Sequence, residues 1–381
     1  GFESSESHVI LTGPFVAGKD YYMVVAPCSL SGGFSFTFTR DDDSIHVKNG
    51  KIEDGYISGR YMGNFGTIDL SDATFVIPSE TDITDMAFIQ IVEEAAGISL
   101  TKNDVGTVSL TKENLAEMAS VAELNIAEKG LTDLSALKYF TGLQTLNCSR
   151  NSLTELDVSA LTSLTSLDCS DNQLTALDVS NQTGLTDLDC SENQLTALNV
   201  SKLTGLTDLD CSENQLTALD VSNLTGLKKL DCSYNQLTAL DVSKMTGLTD
   251  LDCSENQLTK LDVSNQTLLK DLDCAHNQLT ALDVSNLTGL EKLDCADNQL
   301  PALDLNGLPA LKNLDCSENR MSSLDISEFL NLYRVKCGKQ TADGVTSRTL
   351  TLTLTAVQKA GGVFDASSEY NVDVNLNVVG Q

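Results

Sequence analysis

Ten cysteines recur at an unbroken interval of 21 residues, and thiols could bind a metal or form disulfides. They are Cys148, Cys169, Cys190, Cys211, Cys232, Cys253, Cys274, Cys295, Cys316 and Cys337. Zinc needs four ligands that converge in a tetrahedron, whereas one thiol per repeated unit gives a single row. Neighbouring thiols on parallel, in-register strands would need backbone adjustment to reach a disulfide torsion. We therefore predict buried, apolar thiols, with no metal and no cofactor, and Cys28 has no evident partner.

Aspartates form two further series at the same interval. The first comprises Asp168, Asp189, Asp210, Asp231, Asp252, Asp273, Asp294 and Asp315. The second comprises Asp157, Asp178, Asp220, Asp241, Asp262, Asp283, Asp304 and Asp325, with Asn199 interrupting it. Like charges about 5 Å apart in water repel by roughly 0.8 kcal/mol for each neighbouring pair. Hydrogen bonds from serine or backbone groups, raised pKa values, divalent or other counter-ions, and a cationic ligand are alternative ways to offset that repulsion.

Candidate binding residues are those that depart from an otherwise uniform pattern, because identical units cannot confer specificity at identical positions. Lysine, tyrosine and histidine enter midway along an acidic series, and tyrosine is enriched at binding hot spots. Drift at solvated positions explains these departures equally well, as it does for Tyr333 and Arg334 further along. The candidate ligand-binding residues are Lys229, Tyr234, His276 and Lys292, together with Asp252 and Asp273 of the first aspartate series.

Catalytic signatures are missing from the sequence. It contains three histidines, at His8, His46 and His276, and neither a G-x-S-x-G elbow, a Walker loop nor an H-E-x-x-H motif. The acidic run Asp41–Asp43 is typical of a solvated turn. We therefore predict no catalytic residues and no enzymatic activity.

The residues above belong to a repeated unit, L-x-x-L-D-C-S-x-N-Q-L-T-A-L-D-V-S-x-L-T-G, that runs from Leu143 to Leu332. With Leu185 as position 1, apolar residues at positions 4 and 6 between polar neighbours predict a short strand with one face buried. Stacked units then form a parallel sheet. Asparagine at position 9 is expected to satisfy backbone groups of its own turn and the next. Gln182 and Gln266, at position 19, could do the same at the opposite corner.

The motif L-x-x-L-x-φ-x-x-N-x-L, with Cys at its second strand position, resembles the leucine-rich repeat signature over about 121–340. The echo of L-x-x-L-D-C in L-T-A-L-D-V resembles the bacterial subclass of 21-residue repeats. That resemblance implies an α/β solenoid, a right-handed coil with a parallel concave β-sheet. Thr, Val and Ser in the second half favour an extended segment there over a full helix.

Four segments are expected along the chain: a small β domain at 1–80, a helical N-terminal cap at 81–120, about eleven repeats at 121–340 and a β-strand C-terminal cap at 341–381. Helical spacing over Asp85–Ala96 and Lys112–Ala119 resembles bacterial leucine-rich repeat caps, and a helical turn is expected at 135–140. Alternation over Arg348–Thr355 and Asn371–Val378 predicts strands that cover the open end of the sheet.

The N-terminal segment contains three predicted strands, Tyr21–Ala26, Gly33–Thr39 and Thr74–Ile77. The stretch Gly18–Thr39 resembles the later part of fimbrillin-like adhesin domains of Gram-negative surface proteins. Residues 1–80 are either part of such a sandwich or a small independent β domain.

Composition limits the range of partners. Hydrophobic residues make up 41% of the chain, so a core can form, and the formal charge is −30, which disfavours nucleic acid and anionic lipid. No apolar run is long enough to span a membrane, and lipid anchoring through a segment outside the given chain is one possible arrangement. We expect a monomeric cell-surface or secreted protein, with outer-membrane anchoring one arrangement, that binds a protein or glycan through the concave face. The alternative is a spacer or adhesin stalk whose repeats bind nothing.

Overall fold

The computed structural model describes residues 112–342, 345–364 and 373–379, together with short upstream stretches at 8–10, 35–37, 52–53, 56–57, 68–69, 82–83, 93, 97–98 and 108–109. The chain divides into two compact units. One comprises residues 1–89 and 100–112, and the other comprises residues 90–99 and 113–381.

The described part of the first unit consists of short strands. They are β1 (His8–Ile10), β2 (Ser35–Thr37), β3 (Ile52–Glu53), β4 (Tyr56–Ile57), β5 (Ile68–Asp69), β6 (Asp82–Ile83) and β7 (Val108–Ser109). β1, β2 and β5 form one sheet, and β3–β4 and β6–β7 form antiparallel pairs. β2 falls within the predicted strand Gly33–Thr39. The predicted strands Tyr21–Ala26 and Thr74–Ile77, most of the helix predicted at Asp85–Ala96, and Cys28 lie outside the described residues.

The second unit is built on an eleven-stranded parallel sheet. The helix α1 (Lys112–Ser120) precedes it, as the sequence predicts. Every strand has three residues and pairs in register with the same positions of the next coil, as Leu188 does with Leu209. The strands are β8 (Glu123–Asn125), β9 (Thr145–Asn147), β10 (Ser166–Asp168), β11 (Asp187–Asp189), β12 (Asp208–Asp210), β13 (Lys229–Asp231), β14 (Asp250–Asp252), β15 (Asp271–Asp273), β16 (Lys292–Asp294), β17 (Asn313–Asp315) and β19 (Arg334–Lys336).

Rows of identical side chains fill the interior of the coil. Leucines at positions 1, 4 and 11, valine at position 16 and all ten repeat cysteines are buried, and the cysteines are free thiols. Each coil is too thin to bury these groups alone, and stacking on its neighbours removes them from water. The predicted helical turn is also present, as a 3₁₀ helix at Ser135–Tyr139.

Buried amides close both corners of the coil. Asn256 Nδ2 donates to the carbonyl oxygens of Cys253 and Ser254 in its own turn and of Cys232 in the preceding one, at 2.9–3.2 Å. Its Oδ1 accepts from the N–H of Leu237, also in the preceding turn. The predicted bridging role is therefore confirmed, but the second turn served is the preceding one. At the opposite corner Gln182 Nε2 donates to Val158 O at 2.7 Å.

The C-terminal segment adds strands to the other side of the coil. β18 (Ser323–Asp325), β22 (Leu350–Thr355) and β23 (Val374–Val379) form a three-stranded parallel sheet, and β20 (Gln340–Ala342) and β21 (Val345–Arg348) form a hairpin. The two predicted strands are thus present, but they extend the second side of the coil and not the eleven-stranded sheet. The short helix α2 (Ala356–Ala360) follows β22, and among the described residues of this segment a single bridge, Val335 to Phe364, reaches the eleven-stranded sheet.

Gln358, in α2, shows why this segment packs as one more coil. Its Nε2 donates to Ile326 O and Phe329 O of the preceding coil. Gln182 makes the equivalent bonds to the carbonyls of Val158 and Leu161. Gln358 therefore makes the hydrogen bonds of a position-19 amide in a segment that no longer follows the repeat sequence.

Candidate functional site

The concave face is the surface formed by the side chains at positions 3 and 5 of the eleven strands. Position 4 points inward and is buried, whereas positions 3 and 5 are exposed or half-buried, as in Asp187–Asp189. A groove runs along this face from β10 to β15. Within these six strands aspartate occupies most of the groove positions, and Lys229 is the one cation.

The aspartates at position 5 are held by groups of their own turn. Asp231 Oδ1 accepts from the N–H and the hydroxyl of Ser233, at 3.0 and 2.6 Å. The same pair of bonds recurs at Asp189 and Asp210. Burial nevertheless raises the pKa of these three carboxyls above the usual value, because desolvation outweighs the two bonds. Along this row the serine hydrogen bonds therefore favour the ionised carboxylate, whereas burial favours the protonated form.

Two carboxyls of this row lack the hydroxyl donor. Alanine replaces serine at Ala275 and Ala296, so Asp273 and Asp294 each keep only a backbone N–H bond, at 3.0 and 3.1 Å. Burial, together with the charge of Asp294, raises the pKa of Asp273 to about 7. Burial and the charge of Asp315 raise the pKa of Asp294 to about 6. These carboxyls bind protons near neutral pH.

The position-3 row contains both acidic and basic residues. Lys229 Nζ lies 4.0 Å from Asp208 Oδ1, and Lys292 forms an ion pair with Asp271. Asp250 accepts a hydrogen bond from the hydroxyl of Thr249 at 2.6 Å. Lysine in this row therefore neutralises an aspartate of the preceding strand.

A third row lies where the chain turns off each strand, at position 8, and its residues have left-handed backbone. Their φ values lie between +47° and +59° from Glu128 to Lys339, although none of them is glycine or asparagine. The backbone N–H of Tyr234 donates to Ser254 O in the next coil, which fixes this turn. The row comprises Glu128, Arg150, Asp171, Glu192, Glu213, Tyr234, Glu255, His276, Asp297, Glu318 and Lys339.

Tyr234 and His276 interrupt this row of mostly acidic residues. The Tyr234 side chain is 55% exposed. His276 Nδ1 lies 2.8 Å from Asp297 Oδ2, and its Nε2 lies 3.7 Å from Glu255 Oε1. Partial burial lowers the pKa of His276, but the bond with Asp297 and the nearby carboxylates outweigh it and leave the pKa raised.

The second aspartate series, at position 15, belongs to solvent-exposed turns in the second half of the coil. Asp262 Oδ1 accepts from the N–H of Ser264 at 3.0 Å, and these serine bonds lower the pKa of Asp262. Asp178 and Asp283 show the same bond and the same direction of pKa shift. This series is part of the turn structure and is separate from the groove.

The repeat thiols are suited to packing and not to reactivity. Burial raises the pKa of Cys148 and Cys337 to about 12, and that of the eight thiols between them is also raised. Among the residues that the structure describes, no group of three or more His, Cys, Asp and Glu side chains could hold a metal ion. The predicted buried thiols are confirmed.

Comparison with known proteins identifies the architecture. The family model for leucine-rich repeats, in two copies, matches residues 141–182 and 225–266. The functional domain of InlJ from Listeria monocytogenes, which includes a cysteine ladder, is 36% identical, with a TM-score of 0.60 over 72% of this chain and 55% of that one. The fold is a leucine-rich repeat solenoid.

Two further structures resemble the chain in fold, at lower sequence identity. The internalin InlF of Listeria monocytogenes is 23% identical, with a TM-score of 0.55 over 79% of this chain and 92% of its own. A leucine-rich repeat protein of Leptospira interrogans is 21% identical, with a TM-score of 0.51 over 70% and 86%. The chain spans about half the length of the InlJ domain, and no curated protein sequence matches it.

The leucine-rich repeat array brings the six candidate binding residues onto four consecutive coils. Lys229, Asp252, Asp273 and Lys292 lie on the concave face in β13 to β16, and Tyr234 and His276 lie in the position-8 row beside it. Solenoids of this kind use such extended concave surfaces to bind other molecules. None of the helices in the described part of the chain has the length and apolarity required to cross a membrane.

Sequence analysis missed the partners of these residues. Glu213 and Glu255 flank Tyr234 in the position-8 row, and Asp297 binds His276. The interval of 21 residues could have revealed them, because position-8 residues of adjacent coils are neighbours whatever their type. The replacement of serine by Ala275 and Ala296 was a second sequence signal, because it marks the two aspartates that lack a hydroxyl donor.

Proposed function

We propose that the chain is a non-enzymatic recognition module, on the cell surface or secreted, that binds a protein or glycan ligand through the concave face. The observation that carries this proposal is the clustering of Lys229, Tyr234, Asp252, Asp273, His276 and Lys292 on four consecutive coils. The side chains of Lys229, Tyr234, His276 and Lys292 differ from those at the same positions of neighbouring coils, which is what discrimination between ligands requires.

Two further observations support the proposal. The groove side chains are held by hydrogen bonds within the array, as Asp231 is by Ser233, so a ligand would meet preorganised groups. The similarity to the InlJ functional domain and to internalin InlF adds weight, since leucine-rich repeat proteins commonly serve as protein-interaction modules. No matched family is catalytic.

A protein and glycan array screen tests the proposal, run with and without calcium. A ligand found on the array is then measured against the double variant Tyr234→Ala, His276→Ala. We expect at least tenfold weaker binding, about the effect of losing one hot-spot side chain, with an unchanged circular dichroism spectrum. The matched control is Asn181→Ala with Asn265→Ala, two exposed residues of the second half of the coil. Equal binding by both double variants would contradict a binding site at this cluster.

A structural spacer is the second candidate, favoured by the near-identity of the coils, such as those that contain β11 and β12. A spacer would be indifferent to Tyr234→Ala and His276→Ala. It would respond instead to deletion of whole 21-residue units, because its length sets its function. Adhesion measured against unit number distinguishes the two functions.

A further inference from the structure

We propose that the concave groove and the adjoining Tyr234 bind an arginine-presenting, extended segment of a partner protein. This inference rests on the proposed recognition function and names the chemistry of the partner. An arginine side chain would stack on the Tyr234 ring while its guanidinium donates to Glu213 and Glu255.

Backbone geometry is the first observation. Glu213, Tyr234 and Glu255 have φ values of +50°, +50° and +51°. A left-handed conformation is unfavourable for a residue with a Cβ, and glycine or asparagine largely avoids that cost. Yet from Glu128 to Lys339 this turn carries neither. The fold imposes this conformation on every coil, so these three side chains leave the chain at equivalent points of consecutive turns.

The local arrangement is the second observation. Tyr234 replaces an acidic residue in the row, and Glu213 and Glu255 occupy the adjacent coils, about 5 Å away on either side. An aromatic ring between two carboxylates matches a planar cation, which can stack on the ring and form charge-assisted hydrogen bonds at its edge. Exposure of 55% leaves the Tyr234 side chain accessible.

Charge complementarity is the third observation. Beside Tyr234 the groove carries Asp208, Asp210, Asp231, Asp250 and Asp252, and its one cation, Lys229, faces Asp208 at 4.0 Å. The whole chain has a formal charge of −30. A basic segment would enter this groove by electrostatic attraction, whereas an acidic segment would be repelled. A neutral glycan could stack on Tyr234 but would not use the charges of Glu213 and Glu255.

The test uses the full chain and a fluorescent peptide of alternating arginine and glycine, with fluorescence anisotropy as the readout. The matched peptide carries citrulline, which keeps the shape of arginine and lacks its charge. The site variants are Tyr234→Leu and the double variant Glu213→Gln, Glu255→Gln. The control is Asp178→Asn with Asp262→Asn, which removes the same charge from exposed turns in the second half of the coil.

We expect binding of the arginine peptide, at least tenfold weaker binding of the citrulline peptide, and a loss of about fivefold to tenfold in each site variant. The control should lose less than twofold. Equal loss in the control and site variants would overturn the inference, because it indicates attraction by net charge alone. No binding of the arginine peptide, or a glycan that needs Tyr234 but neither glutamate, would also overturn it. The proposed recognition function would survive any of these outcomes if a ligand from the protein and glycan array bound more weakly to the Tyr234→Ala, His276→Ala variant.

Discussion

At the scale of single residues, one missing hydroxyl changes the chemistry of an otherwise uniform row. Asp231 receives two hydrogen bonds from Ser233, whereas Asp273 receives one from the backbone of Ala275. Burial and the charge of Asp294 raise the pKa of Asp273 to about 7, and one donor fewer opposes them than at Asp231. The array can therefore place a proton-binding carboxyl at a chosen coil by a single substitution.

This difference predicts a pH-dependent stability. Asp273 and Asp294 have pKa values of about 7 and about 6, above their ordinary value, so the folded chain binds protons more tightly than the unfolded chain. Their contribution to the free energy of unfolding is therefore greatest at low pH and is lost as the pH rises through 6 to 7. Restoring the hydroxyl with Ala275→Ser and Ala296→Ser should stabilise the protein by up to about 1 kcal/mol per site at pH 8 and by less at pH 5.

Urea unfolding of wild type and variant at the two pH values measures this effect. Ala176→Ser with Ala197→Ser, at exposed positions, provides the control and should show no such pH dependence. A stabilisation that is equal at both pH values would show that the hydroxyls act without lowering the two pKa values.

Single residues also mark the limit of what the sequence could predict. The buried thiols follow from their interval, because thiols in a single row cannot surround a metal. The left-handed conformation of Glu213 or Tyr234 does not follow, since these residue types normally avoid it. It is imposed by the fold: the Tyr234 N–H bonds to the next coil, and the Asn235 amide bonds to the carbonyl of Ser233.

At the scale of elements, the buried asparagine row supplies the hydrogen bonds that backbone groups in a helix or hairpin receive from other backbone groups. From Asn172 to Asn319 each Asn side chain donates to three carbonyls and accepts from one N–H, as Asn256 does. Buried backbone groups left unpaired are costly, so these turns depend on the amide.

Asn256→Ala should accordingly destabilise the protein by about 3–5 kcal/mol, since it strands several buried polar groups at once. Asn286→Ala is the matched control, because that exposed asparagine donates only to Ser264 O at 3.3 Å, and its loss should cost less than about 0.5 kcal/mol. Urea denaturation compares the two variants. A loss of stability in Asn256→Ala as small as that in Asn286→Ala would mean that the buried amides are dispensable.

The C-terminal strands show how far element prediction reaches. Strict alternation over Arg348–Thr355 and Asn371–Val378 correctly predicted extended chain. Alternation cannot say which edge a strand joins, because both sides of the coil offer an apolar row. The choice depends on the β20–β21 hairpin and on Gln358, which anchors this segment to Ile326 and Phe329.

At the scale of the whole molecule, the stability of each coil depends on its contacts with the two adjacent coils. Each coil of the sheet bonds to the coils before and after it, so opening can begin at an end and progress inward. The ten thiols lie one per coil, which makes them evenly spaced reporters of that process.

Peptide-resolved alkylation in sub-denaturing urea should therefore label Cys148 and Cys337 before Cys232 and Cys253. In the native state all four should remain unlabelled, because they are buried and their pKa values are raised. Mass spectrometry gives the order. Simultaneous labelling of all four would show that the array opens as a single cooperative unit.

The in-register pairing of Leu188 with Leu209, repeated along the sheet, has a mechanical consequence. Under tension applied at its two ends the array should yield one coil at a time, and each event should lengthen the tether by about 65 Å, the extended length of 21 residues less one strand spacing. A molecule that extends in such even steps would dissipate the work of repeated stretching while its remaining coils stay folded.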